Sequence, residues 1–210
     1  MEIDYRTIAN NGTFEEVIRK STFICHLKRT DSEEEALAFI EEIKKEHYKA
    51  THNCSAYVIG ENNDIQRAND DGEPSGTAGL PMLEVLKKND LKNVTAVVTR
   101  YFGGVKLGAG GLIRAYGGSV SQALKELKIV DRILMQQIQL TVPYTLSGKV
   151  ENDLRDSVYI LEDTQYTDEV TFVCLVKRDE VEVFNEFYTN LTSAKADFKA
   201  TTQKFVEIPV

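Results

Sequence analysis

VTAVVTRYFGGVKLGAGGLIRAYGG, residues 94–118, holds seven of the chain's thirteen glycines. VTAVVTRYF (94–102) is β-branched and apolar enough for a buried strand, and GGVKLGAGG (103–111) is a glycine-rich loop. From Ile113 the residues Tyr116, Val120, Ala123, Leu124 and Leu127 recur at helical spacing, so strand, loop and helix follow one another. That order outlines an anion site, because glycines let backbone N–H groups turn toward a ligand and a helix N-terminus adds unpaired donors and partial positive charge. Gly108, Gly110 and Gly111, with the charges of Lys106 and Arg114, are the expected contacts. Gly117 and Gly118 are expected to allow close helix packing. The spacing matches neither G-x-x-x-x-G-K-[ST] nor G-x-G-x-x-G, which sets aside a Walker loop and a dinucleotide fingerprint. Arg100 and Tyr101 leave the strand together, as a pair suited to stacking on a base. The competing reading makes Tyr101 a core residue and pairs Arg100 with an acid.

Outward from this segment, DDGEPSGTAG (70–79) breaks the chain before a short helix that carries Leu80, Leu83, Val85 and Leu86. Ser75, Gly76 and Thr77 precede that helix, so Thr77 either caps it or touches an anion. Asp70, Asp71 and Glu73 fit a solvated turn, or a Mg²⁺ site completed by substrate phosphate. His52 in ATHNCSAY (50–57), with Asp70, Asp71, Glu73, Ser75 and Gly76, is expected to form the second wall of one cleft that the glycine-rich segment lines on its other side. A nucleophilic Cys54 next to it is the lesser reading, since strand neighbours point to opposite faces.

The rest of the first part reads as a strand from Phe14 to Lys28, and a helix opened by the capping box Ser32/Glu35 and running to about Tyr48. A hairpin of NCSAYVIG (53–60) and IQRAND (65–70) turns at ENND. After residue 133 the order is β-α-β-β-α-β, the ferredoxin-like signature. An α+β protein of two domains, 1–133 and 134–210, is expected.

Composition bounds the function. Hydrophobic residues make up 42% and charged residues 28%, a globular balance, and no apolar run is long enough for a membrane. MEIDYRTIANNGTFEE carries acids where a signal peptide is basic and then apolar, so a cytoplasmic protein is expected. Cys25, Cys54 and Cys174 are widely spaced and lack any C-x-x-C, which points to buried thiols. The net charge of -8 argues against indiscriminate polyanion binding, yet residues 92–132 carry seven cations against two acids.

DDGEPSGTAGLPMLEVL and VVTRYFGGVKLGAGGLIRAY together resemble the IMPACT (YigZ) family, in its bacterial two-domain form. The resemblance implies an N-terminal α/β sandwich like the second domain of a small-subunit ribosomal protein, shared with GHMP kinases and domain four of elongation factor G. It implies a ferredoxin-like second domain and no known catalytic residue. Eukaryotic relatives regulate translation by binding the activator of a kinase that phosphorylates an initiation factor. The expectation is a non-enzymatic binding protein that engages RNA or a ribosome-associated phosphate surface, with no cofactor. Two alternatives stay open: a nucleotide-dependent enzyme of GHMP-kinase type, using Mg²⁺, and a protein-interaction module.

Overall fold

The computed structural model describes residues 5–60 and 62–210. Met1 to Asp4 of the leading segment and Glu61 of the ENND turn lie outside the described residues. The chain forms two compact units, Tyr5–Arg132 with Glu207–Val210, and Ile133–Val206.

The N-terminal unit contains β1 (Tyr5–Ile8), β2 (Gly12–Ile18), β3 (Ser21–Arg29), α1 (Glu33–Glu46), β4 (His52–Ile59), β5 (Ile65–Asn69), α2 (Gly79–Lys88), β6 (Val94–Tyr101) and α3 (Ala109–Leu127). Its sheet has the order β2-β3-β6-β4-β5, with every pairing antiparallel. Alternation of side chains sorts the strands into two faces. Phe23, Cys25, Leu27, Cys54, Ala56, Val58, Val94, Ala96 and Val98 pack with Met82, Leu86, Leu112, Tyr116 and Val120 of α2 and α3. On the other face, Tyr57, Ile59 and Val97 pack with Ala36, Phe39, Ile40 and Ile43 of α1. The capping box forms: Glu35 N–H donates to Ser32 Oγ at 3.2 Å, and the Glu35 carboxylate reaches back to the Asp31 N–H.

One expectation is corrected. Residues 14–28 are not a single strand but a hairpin, in which Ile18 pairs with Ser21 across a two-residue turn at Arg19 and Lys20. Both turn residues are left-handed, with φ of 46° and 69°, the geometry that suits the twist of a hairpin but that sequences usually announce with Asn or Gly.

β7 (Ile129–Val142) carries the chain across the division, and its first four residues pair with β1 inside the N-terminal unit. Beyond it come α4 (Tyr144–Asp156), β8 (Ile160–Tyr166), β9 (Val170–Lys177), α5 (Val181–Leu191) and β10 (Asp197–Pro209). The strand order β10-β7-β9-β8 is ferredoxin-like. Ile138, Leu140 and Val142 of β7 and Val170, Phe172 and Cys174 of β9 bury one face against Val150, Leu154, Phe184 and Tyr188 of the two helices.

Candidate functional site

The sheet register brings four loops to one end of the N-terminal unit. Thr22 of β3 pairs with Tyr101 of β6, and Arg100 pairs with His52 of β4. The β2–β3 turn, the α1–β4 loop, the β5–α2 loop and the β6–α3 loop therefore adjoin.

The β5–α2 loop wraps around its own first residue. One oxygen of the Asp70 carboxylate accepts the Gly76 N–H at 2.8 Å, and the other accepts those of Ala78 and Gly79 at 3.1 and 2.8 Å. Burial pushes this carboxyl up, but the three amides outweigh it and hold it below the ordinary carboxylate range. The positive end of α2 is thus occupied by an anion from the same chain. Left-handed backbone at Asp71, Gly72 and Gly76 makes the wrap. Gly79 closes it, for a Cβ there would stand 2.5 Å from the Asn69 nitrogen.

Glu73 fastens this loop to the sheet. Its Oε1 accepts from Arg100 Nη1 at 2.6 Å and from the Tyr116 hydroxyl at 2.8 Å, all three side chains being buried. The guanidinium lies within 5.5 Å of the ring centres of Phe23 and Phe102. His52 donates through Nδ1 to the Asp71 carbonyl at 2.8 Å and sets Nε2 3.8 Å from Glu73. Asp71 in turn accepts the Asn53 N–H at 2.7 Å and faces Lys44 at 3.0 Å. Burial raises the Tyr116 hydroxyl well above its ordinary pKa, so it stays a donor to Glu73.

The expected residues therefore separate by role. Arg100 and Tyr101 do not stack together: as strand neighbours they point to opposite faces, and Tyr101 meets His47 Nδ1 at 2.9 Å on the α1 side. Arg100 pairs with an acid, which was the competing reading. Thr77 is buried and donates to the Pro74 carbonyl at 2.6 Å, which is a loop bond. Ser75 is exposed and Gly76 half-buried. Asp70, Asp71 and Glu73 are each engaged internally, and among the described residues no group of three His, Cys, Asp or Glu side chains is placed to hold a metal ion. The Cys54 thiol, pushed by burial up to about 12, donates to the Asp70 carbonyl and is no nucleophile at neutral pH.

What remains turned to solvent is the start of α3. Gly108, with φ of 72°, occupies the N-cap, and among the described residues no side chain accepts from the first amides of the helix. Gly108 and Gly110 are exposed, as are Lys106 and Arg114, and Gly111 is half-buried against Leu107. Arg114 Nη1 lies 3.8 Å from where a Cβ on Gly110 would stand, so its charge reaches back over the first turn. Neither Lys106 nor Arg114 forms an ion pair among the described residues. Gly76 and Arg114 also meet across a largely apolar groove of about 490 Å³ between α2 and α3, lined by Leu80, Pro81, Val85 and Ile113. Gly117 faces that contact, 3.6 Å from the Pro81 carbonyl by its notional Cβ; Gly118 meets nothing within 4 Å, so the packing expectation holds only for the first.

Sequence reasoning missed the neighbours of this end. Gly103 sits so close to the β2–β3 turn that a Cβ would fall 1.8 Å from the Lys20 carbonyl oxygen, and its N–H donates to Ser21 Oγ at 3.2 Å. The Phe102 N–H donates to Thr51 Oγ1 at 3.1 Å, tying in the α1–β4 loop. Arg19, Lys20, Tyr48 and Lys49 are all exposed there. They lie far from residues 92–132 in sequence, and the pairing of β6 with β3 on one side and β4 on the other brings them near.

Comparison with known proteins agrees with this architecture. The Impact N-terminal domain matches residues 19–124, and a domain of unknown function, DUF1949, matches residues 140–195. The IMPACT family member YvyE of Bacillus subtilis is 56% identical, over 97% of this chain and 94% of its own length. The IMPACT family member YigZ of Escherichia coli is 46% identical, over 63% of this chain and 66% of its own length. A crystal structure described as that of an hypothetical protein superposes with a TM-score of 0.61 at 33% identity, covering 96% of this chain and 99% of that one. The chain belongs to the IMPACT family, as a two-domain member.

Proposed function

We propose that this chain is a binding protein that acts in the regulation of translation, and that its N-terminal unit engages RNA or a ribosome-associated phosphate surface. One observation carries the reading: of two helix starts in adjoining loops, α2 is closed by Asp70, while α3 is uncapped and exposed beside Lys106 and Arg114. Amides and two cations that have no side-chain partner among the described residues suit phosphate, and phosphate neutralisation supplies a large share of nucleic-acid affinity. The acids that a phosphotransferase would need, Asp70, Asp71 and Glu73, are bonded into the fold, which weighs against the kinase-like reading.

Binding of structured RNA and of ribosomes, followed against salt, tests the proposal. Affinity should fall steeply as salt rises, and Lys106→Ala and Arg114→Ala should each weaken it and reduce the salt slope by about 1. No binding at low ionic strength, or no effect of either change, would overturn it. The apolar groove, where Leu80 is 50% and Ile113 44% exposed, favours a protein partner as the second reading, which predicts association that survives nuclease.

A further inference from the structure

We infer that the loop end of the N-terminal unit takes an unpaired nucleic-acid strand, its phosphates along Arg19, Lys20, Lys49 and Lys106 and its bases against Tyr48 and Phe102. The inference rests on the phosphate reading above and adds what that reading lacks: a surface for bases.

Three loops form this surface and are bonded together. Gly103 lies against the Lys20 carbonyl with no room for a Cβ, so the β2–β3 turn and the β6–α3 loop are one unit. Thr51 bridges the α1–β4 loop to β6 and the loop after it, accepting from the Phe102 N–H at 3.1 Å and donating its own N–H to the Arg100 carbonyl at 2.9 Å. The cations of these loops are exposed, and none of the four forms an ion pair among the described residues. Of the nearby carboxylates, Glu73 is balanced by Arg100 and Asp71 by Lys44, while Asp70 keeps its charge turned onto the amides at the start of α2. Glu46, 3.9 Å from His47, is the exposed acid at the end of α1.

Two aromatic rings stand among these charges. Tyr48 is 73% exposed and Phe102 is 47% exposed. An exposed ring alone means little. Here, however, the buried Arg100 guanidinium lies 5.4 Å from the Phe102 ring centre and supports it from within, leaving its outer side to solvent. The Lys49 ammonium stands 5.5 Å from the Tyr48 ring centre, so charge and ring are presented together. Exposed rings interleaved with cations are the platform on which splayed bases stack, with phosphates held alongside. A duplex keeps its bases stacked inside and offers such rings nothing.

The test is fluorescence anisotropy of the full chain with labelled oligouridine, oligoadenylate and oligothymidylate of about 12 nucleotides, within the span of one such site, and a perfect RNA duplex of equal length. Titrations run at about 50 and 200 mM salt. Single strands should bind at least about tenfold more tightly than duplex, and Tyr48→Ala should weaken them by roughly 5- to 100-fold, with Tyr48→Trp restoring binding. Each of Arg19→Ala and Lys20→Ala should lower the salt slope for single strands by about 0.7. Tighter binding of the ribo-oligomers identifies RNA as the source, and equal binding of oligothymidylate identifies any unpaired strand. Equal affinity for duplex and single strand, with Tyr48→Ala silent, overturns the inference and leaves the phosphate reading standing. Absence of binding by every probe at low salt overturns the inference, and absence of binding by structured RNA and ribosomes as well overturns both.

Discussion

Arg100 Nη1 stands 2.6 Å from Glu73 Oε1, and the two side chains are only 6% and 4% exposed. An arginine that the sequence offers either for stacking on a base or for pairing with an acid is thus matched to an internal carboxylate, and it fastens the β5–α2 loop to the central strand of the sheet.

Breaking this pair leaves a charge buried without its partner. Glu73→Gln or Arg100→Met alone should cost about 3–5 kcal/mol, whereas replacing both with apolar residues of similar volume should recover much of the loss. Urea denaturation of the singles and the double, read as a double-mutant cycle, measures it. Equal and additive losses would mean that the pair is not coupled.

A second expectation concerns acid. Burial, with a smaller contribution from the neighbouring His47, lowers the His26 pKa from 6.5 to about 4. The folded state therefore resists a proton that the unfolded chain accepts, so this contribution to stability is complete above pH 6.5 and is lost as pH falls toward 4. Over that window the loss amounts to roughly 3 kcal/mol. His26→Gln should flatten the fall of the urea midpoint between those limits; an unchanged profile would remove His26 as its source.

Two glycines should respond in opposite senses. Gly118 lies inside α3 with open space where a Cβ would go, so Gly118→Ala should raise stability by about 1 kcal/mol. Gly103→Ala drives a methyl into the Lys20 carbonyl and should be destabilising by a larger amount, since backbone rather than a flexible side chain must move. Thermal melts of the two variants separate the cases.

How far the sequence announces this structure depends on what carries each signal. The helix from Glu33 is legible because Ser32, Glu35 and the Ala36–Phe39–Ile40–Ile43 stripe agree. The second domain is legible because its six elements alternate cleanly. The turn at Arg19 and Lys20 is not, because two cations adopt a left-handed backbone with no glycine or asparagine to mark it. β1 is missed because its partner is the start of β7, more than a hundred residues away. At the site, the residue types were found but not their employment. Glu73 and Arg100 satisfy each other, Asp70 takes the amides of Gly76, Ala78 and Gly79, and Thr77 takes the Pro74 carbonyl; the first pairing needs the strand register and the others the fold of the loop, and residue types alone announce neither.

The wrap of Asp70 over α2 has a practical side. A carboxylate tethered to the amides it binds faces them at an effective concentration that free ions in ordinary buffers do not match. Added sulfate or phosphate therefore has no foothold at α2, and competition by such ions against a bound strand reports on the exposed cations of the loop end without a contribution from that helix start.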